Sequence, residues 1–168
     1  PAPAAPRAGL TGRSRVRSAA VAVTISIAGP DDADALAEAL VRLVPQLSRS
    51  NPPPSLDAVR AMLAHEAITQ FLARDEEGTV VGVSTLATFP IPTGWRAWVE
   101  DVIVDEAVNG QGIGRRLTEA MLDRARELGC KTVDLTSRPS REAANHLYKK
   151  VGFTQRDTNV YRIVIGND

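Results

Sequence analysis

Val99-Glu100-Asp101-Val102-Ile103-Val104-Asp105 runs, after three residues, into Asn109-Gly110-Gln111-Gly112-Ile113-Gly114-Arg115-Arg116-Leu117. An apolar strand ends there, a glycine-rich turn follows, and a long amphipathic helix starts with two arginines in its first turn. Such a turn aims bare backbone N–H groups and the positive end of a helix dipole at one point, the arrangement that receives an anion. Gly110, Gly112 and Gly114 let the main chain come close and adopt dihedrals closed to other residues. This segment therefore predicts an α/β fold with a phosphate-bearing ligand at the strand-to-helix junction. A Gly-x-Gly turn is also the simplest way to reverse a chain, so the triplet alone leaves both readings open.

Working outward, the surrounding pattern is one continuous α/β domain over 23–168. Val23 to Ile27 alternates as a strand. Pro30 opens a helix with acids in its first turn and apolar residues at Leu36, Leu40, Leu43 and Val44. Pro45 to Pro54 reads as loop, since proline removes donors a helix needs. Ser55 is placed to cap a second helix. Gln70–Arg74 and Thr79–Phe89 are strands joined at Asp75-Glu76-Glu77-Gly78, and Arg96–Val104 is the next. Gly112–Leu128 is a helix ended by Gly129, Lys131–Ser137 a strand, and Arg141–Lys150 a helix stopped at Gly152. Phe153–Asp157 and Asn159–Ile165 are expected to close the chain as two further strands. The order is β-α-α-β-β-β-α-β-α-β-β.

Composition narrows the class. Across 168 residues, 43% are hydrophobic and 24% charged, as in ordinary soluble globular proteins. Net charge is zero, but the first 30 residues hold four arginines and no acid, leaving 16 basic against 20 acidic groups beyond them. That mildly acidic body is a poor footprint for nucleic acid. The single cysteine, Cys130, excludes an internal disulfide and a cysteine-rich metal site. No apolar run approaches the roughly 18 residues of a membrane span, and a cytoplasmic protein is expected. Residues 1–22, rich in Ala, Pro, Arg and Ser, read as a disordered basic tail, with an organellar transit segment as the alternative. His65 and His146 lack ligand-spaced partners, so no metal is expected.

Three features together resemble the GNAT superfamily of acyl-CoA-dependent N-acyltransferases. They are the Glu-Asp-apolar strand with its glycine turn, the Leu147-Tyr148-Lys149-Lys150-Val151-Gly152-Phe153 ending, and the placement of both around a strand-turn-helix-strand-helix unit. The resemblance covers roughly 23–165. It implies a mixed, mostly antiparallel central sheet with helices on both faces. It also implies acetyl-CoA as co-substrate, held by Val102, Ile103 and Val104 along the strand and by Asn109, Gly110, Gln111, Gly112, Ile113, Gly114, Arg115 and Arg116 at the turn. Family members usually have Arg or Gln where this chain has Asn109. They frequently have Asn where it has Arg141, with Asn145 and Arg138 close enough in sequence to substitute.

The implied reaction moves an acetyl group to a primary amine by direct attack in a ternary complex. An amine is mostly ammonium at neutral pH and must give up a proton, for which a carboxylate is suited. Glu100 is the implied base, and Tyr148 the implied proton donor to the departing thiolate. An N–H near Val102 or Ile103 would face the thioester oxygen. The bland readings are an ion pair for Glu100 and packing for Tyr148, with packing also expected of Trp95, Trp98 and Cys130. Acceptor contacts would come from 47–55, 89–95 and 156–161, with Arg49 and Arg156 available to a carboxylate or phosphate and Asn159 and Tyr161 as polar contacts. A small-molecule acceptor is expected, with protein lysine or N-terminal acetylation, a non-catalytic acyl-CoA-binding module, or a tail-borne nucleic-acid binder as alternatives. An exposed sheet edge makes a homodimer the candidate assembly.

Overall fold

A long antiparallel hairpin organises the molecule. β3 (Val80–Ile91) and β4 (Gly94–Val104) pair along almost their whole length and turn at Pro92-Thr93. The computed structural model describes residues 22–48 and 50–166. The tail and the anion role expected of Arg49 therefore lie outside the described residues. The other elements are β1 (Thr24–Ile27), α1 (Ala33–Leu47), α2 (Leu56–Leu63), β2 (Ile68–Arg74), α3 (Ile113–Glu127), β5 (Thr132–Leu135) and α4 (Glu142–Val151). The five strands stand in the order β1-β2-β3-β4-β5, antiparallel except for the parallel pair β4–β5.

Each face of the sheet carries its own core. Phe71, Leu86, Ala97 and Val99 pack with Ile113, Leu117 and Met121 of α3. Leu72, Val83 and Ile103 pack with Leu36, Leu40 and Leu43 of α1 and Val59 of α2. The period-2 alternation of strand side chains sends neighbouring residues into opposite cores. Ser55 Oγ accepts from the Ala58 amide at 3.2 Å, the expected cap of α2. The β2–β3 turn is set by Asp75, whose Oδ1 accepts from the Thr79 amide at 2.7 Å.

Two expectations need correction. Helix α1 does not stop at Pro45 but carries it inside and ends at Leu47. Proline there forfeits one hydrogen bond in the last turn, while its fixed φ still suits a helix. The second concerns the end of the chain. Phe153–Asp157 and Asn159–Ile165 carry no regular secondary structure and join no ladder, so neither is a strand. Strand propensity is realised through cross-strand packing, and here the segment finds no neighbour. Val160, Tyr161, Ile163, Val164 and Ile165 are each 72–89% exposed.

Candidate active site

The site begins where β4 stops being regular. Glu100 pairs with Thr85 and Ile103 with Val83, so two residues of β4, Asp101 and Val102, face only Ser84. This is a β-bulge, and Asp101 takes the positive φ of 49° that lets the extra residue fit. Asp is among the few residue types that tolerate this conformation.

Beyond the bulge the sheet opens. β4 and β5 are paired from Arg96↔Thr132 to Val99↔Leu135, where β5 ends while β4 continues to Val104. Glu100 to Val104 therefore have a ladder partner on the β3 side only. Backbone groups on the other side are left to whatever lies in the opening. Ser137, just past β5, has a buried hydroxyl that finds no hydrogen-bond partner among the described residues.

At the far end of β4 the chain passes through a short 3-10 turn, Glu106–Val108, and then Gly110 and Gly112 at φ 81° and 79°. Gly112 is the residue before α3 and supplies no side-chain cap. The first amides of a helix have no intrahelical acceptor, so those of α3 point outward with the positive end of its dipole. A Cβ built on Gly110 or Gly112 would meet nothing within 4 Å, so open space lies over this turn. The Arg116 guanidinium makes no ion pair or hydrogen bond among the described residues, whereas Arg115 Nε is held by Glu119 Oε1 at 2.7 Å. Asn109 is exposed and spends its amide on Glu106 O.

Glu100 lies on the α1–α2 face, because its cross-strand partner Thr85 stands two residues from core Val83. It is exposed and forms no ion pair among the described residues; its Oε1 accepts from Trp98 Nε1 at 2.8 Å. The hydrogen bond ties Trp98, for which packing was the favoured expectation, to this carboxylate. Beneath them Thr85 Oγ1 donates to Gln70 Oε1 at 2.8 Å, and buried Gln70 Nε2 donates to Ser84 O at 3.0 Å. This polar row across β2, β3 and β4 escaped sequence reading, since only the register brings residues 15 apart together.

Tyr148 is half-buried on α4, its ring edge-on to Phe153 with centroids 5.8 Å apart. Burial pushes its phenol above the ordinary value, and the nearby Arg141 guanidinium pulls part of the way back. The side chain is thus both packed and kept protonated. Asn145 Nδ2 donates to Arg138 O at 2.9 Å, which commits that donor to the β5–α4 turn. Between the end of α1, Glu106 and Arg138 lies a polar cleft of about 460 Å³ that also takes in Gln46, Ser48 and Ser50.

Several expected site residues are not brought here. Arg156, Asn159 and Tyr161 lie on the exposed segment after α4. Trp95 sits at the opposite end of the sheet, by the β3–β4 turn. His65 Nδ1 accepts from the Ala67 amide, and His146 is exposed. Among the described residues no group of three or more His, Cys, Asp or Glu side chains is placed to hold a metal. None of the described helices is long and apolar enough to cross a membrane.

A bulged strand thus parts from its parallel neighbour and leads, through a glycine turn, into a helix whose N-cap supplies no side-chain cap. The model of the acetyltransferase (GNAT) family matches residues 37–153, well over half of the chain, and the protein belongs to that family. It is 35% identical over 89 residues to a mycothiol acetyltransferase of Propionibacterium freudenreichii, covering 53% of this chain and 28% of that protein. It is 34% identical over 89 residues to a glucosamine 6-phosphate N-acetyltransferase of Trypanosoma brucei brucei, covering 51% of this chain and 58% of that one. The matched segments thus span less than two thirds of these relatives. A solved acetyltransferase candidate from Agrobacterium tumefaciens str. C58 superposes with a TM-score of 0.73 at 29% identity, covering 84% of this chain and 99% of that one.

Proposed function

We propose that this chain is an acetyl-CoA-dependent N-acetyltransferase acting on a small molecule with a primary amine. The observation that carries the reading is the parting of β4 from β5 at the Asp101 bulge, with the uncapped start of α3 at the end of the opening. The residues present fit coenzyme A. Outward-facing amides from Ile113 onward and the free Arg116 suit a diphosphate. One-sided β4 from Glu100 to Val104 suits an amide-bearing arm laid along it as an added strand, and the unpartnered Ser137 hydroxyl suits a polar group beside it. Val102, Ile103 and Val104 are the strand contacts in this reading, with an amide at Val102 or Ile103 turned to the thioester oxygen. Arg141 and Asn145 close the site from the α4 side.

Acetyl-CoA supplies the activated acyl carbon; the chain supplies orientation and proton handling. Glu100 takes the proton of the incoming ammonium, directly or through water, with its carboxylate held by Trp98. Tyr148 gives a hydrogen bond or proton to the thiolate that leaves, and its raised phenol stays protonated across the neutral range. Attack is direct, within a ternary complex. Several relatives point to the acceptor class, since their names specify glucosamine 6-phosphate and L-amino acids, both small amines.

Release of free thiol from acetyl-CoA across a panel of amino sugars, amino acids and polyamines tests the reading. Calorimetry with coenzyme A is the companion measurement. Acceptor-dependent release with measurable cofactor binding is expected; absence of heat on adding coenzyme A to folded protein would refute it.

A further inference from the structure

We propose that Arg42 and Gln46, on α1, are positioning residues that pre-set the cofactor turn, an inference that rests on the acyltransferase reading above. Neither residue lies on the elements that would touch the cofactor. Yet α1 reaches across the end of the sheet and grips the chain just past β4 at two consecutive residues, Asp105 and Glu106.

The contacts are specific. Arg42 Nη1 pairs with Asp105 Oδ2, while Nη2 donates to Val80 O at 2.9 Å. The guanidinium thus joins the start of β3 to the last residue before the turn, and the Asp105 side chain is only 15% exposed. Asp105 uses its other oxygen, Oδ1, to accept from the Ala107 amide at 3.0 Å. One helical turn further on, Gln46 Oε1 accepts from the Glu106 amide at 3.0 Å. Gln46 in turn is steadied by donating from Nε2 to Arg42 O at 3.2 Å.

The physical need for such a grip follows from the glycines. Gly110 and Gly112 give the segment between β4 and α3 wide conformational freedom, and freedom lost on binding opposes affinity. The strand fixes one end and α3 the other. Side-chain bonds to two consecutive amides, Glu106 and Ala107, remove much of the remaining freedom before any ligand arrives. Pre-organisation of this kind improves binding without adding a contact to the ligand.

Gln46→Leu removes the acceptor for the Glu106 amide at a half-buried position of α1, and Arg42→Lys keeps the charge but cannot bridge Asp105 and Val80 together. Hydrogen exchange in the ligand-free protein should show faster exchange at Glu106 and Ala107 in both variants, with the β2 and β3 amides unchanged. Calorimetry should show coenzyme A binding weakened about fivefold for each, the scale of one intramolecular hydrogen bond. The KM for acetyl-CoA should rise with it, while kcat at saturation and the KM for the acceptor stay within about twofold. Gln46→Glu, which keeps the acceptor for the Glu106 amide and loses only the Nε2 bond to Arg42 O, should recover most of the exchange protection at Glu106 that the leucine variant loses. Unchanged exchange, or unchanged affinity in either folded variant, would overturn the proposal while leaving the acyltransferase reading intact. A wild-type protein that gives no heat with coenzyme A would overturn both.

Discussion

Replacing Gly112 by valine isolates the phosphate cradle from the rest of the fold. At φ 79° the backbone is in the left-handed region, where a non-glycine residue loses about 1–2 kcal/mol, and a β-branched one fits worst. Nothing lies within 4 Å of a Cβ at this position, so the new side chain meets no wall and the penalty is one of backbone alone. A loss of this size lowers the melting temperature of a domain this large by about 2–8 °C, short of unfolding it. The new residue relieves part of that strain by moving toward the extended dihedrals usual before a helix, so the strain is an upper bound on the stability lost, and the shift turns the first amides of α3 away from their common point. Losing two charge-assisted bonds, each about 1.5 kcal/mol at the low end, weakens coenzyme A binding on the order of a hundredfold. Calorimetry with coenzyme A, beside circular dichroism melts, reads both quantities. A folded Gly112→Val protein that binds within about threefold of wild type would refute the cradle, since such a loss corresponds to well under one of those bonds.

Four further outcomes are expected. Glu100→Gln lowers kcat by about a hundredfold at neutral pH, and the deficit narrows as pH rises because more of the acceptor is already free amine; parallel pH profiles of equal height would remove Glu100 as base. Tyr148→Phe reduces kcat at least about tenfold with coenzyme A affinity unchanged. Because burial raises this phenol above its ordinary 10.0, it stays protonated to beyond that pH, so wild type shows no alkaline loss attributable to Tyr148 below about pH 10. A loss of affinity alone in the phenylalanine variant would reassign the residue to binding. Asp101→Val costs about 1–2 kcal/mol by forcing a β-branched residue into a positive φ, and Asp101→Gly does not, a contrast that denaturant titration resolves. Gly114→Val lodges two methyl groups where a bare Cβ already sits 3.4 Å from Leu147 and 3.7 Å from Val104, so it should part α3 from α4 and melt well below the Gly112 variant in the same assay.

Local signals in the chain carried most of this architecture. The strand, glycine turn and helix from Val99 to Glu127 were legible because periodicity, turn chemistry and the change of period all agree there. What stayed hidden depends on partners distant in sequence. Nothing local marks Arg42 as the mate of Asp105, 63 residues on, or Thr85 as the link between Gln70 and the level of Glu100. Pro45 looked like a stop because the rule against helical proline weighs one lost donor, not the packing of Leu43 beneath it. The segment after Gly152 has the alternation of a strand, yet alternation states only how a strand would present its sides. Whether a neighbouring edge is there to receive it is a property of the whole sheet.

At the end of the sheet opposite the opening, β4 and β5 are welded together. The Lys131 amide donates to Trp95 O at 2.9 Å, its ammonium donates to Thr93 O at 2.6 Å, and its stem fills the space a side chain on Gly94 would need. The two strands thus behave like the arms of tweezers, pinned at the base and spreading toward the tips. A side chain at Gly94 would have to displace the Lys131 stem, and with it the ammonium bond that helps hold this end of the tweezers closed.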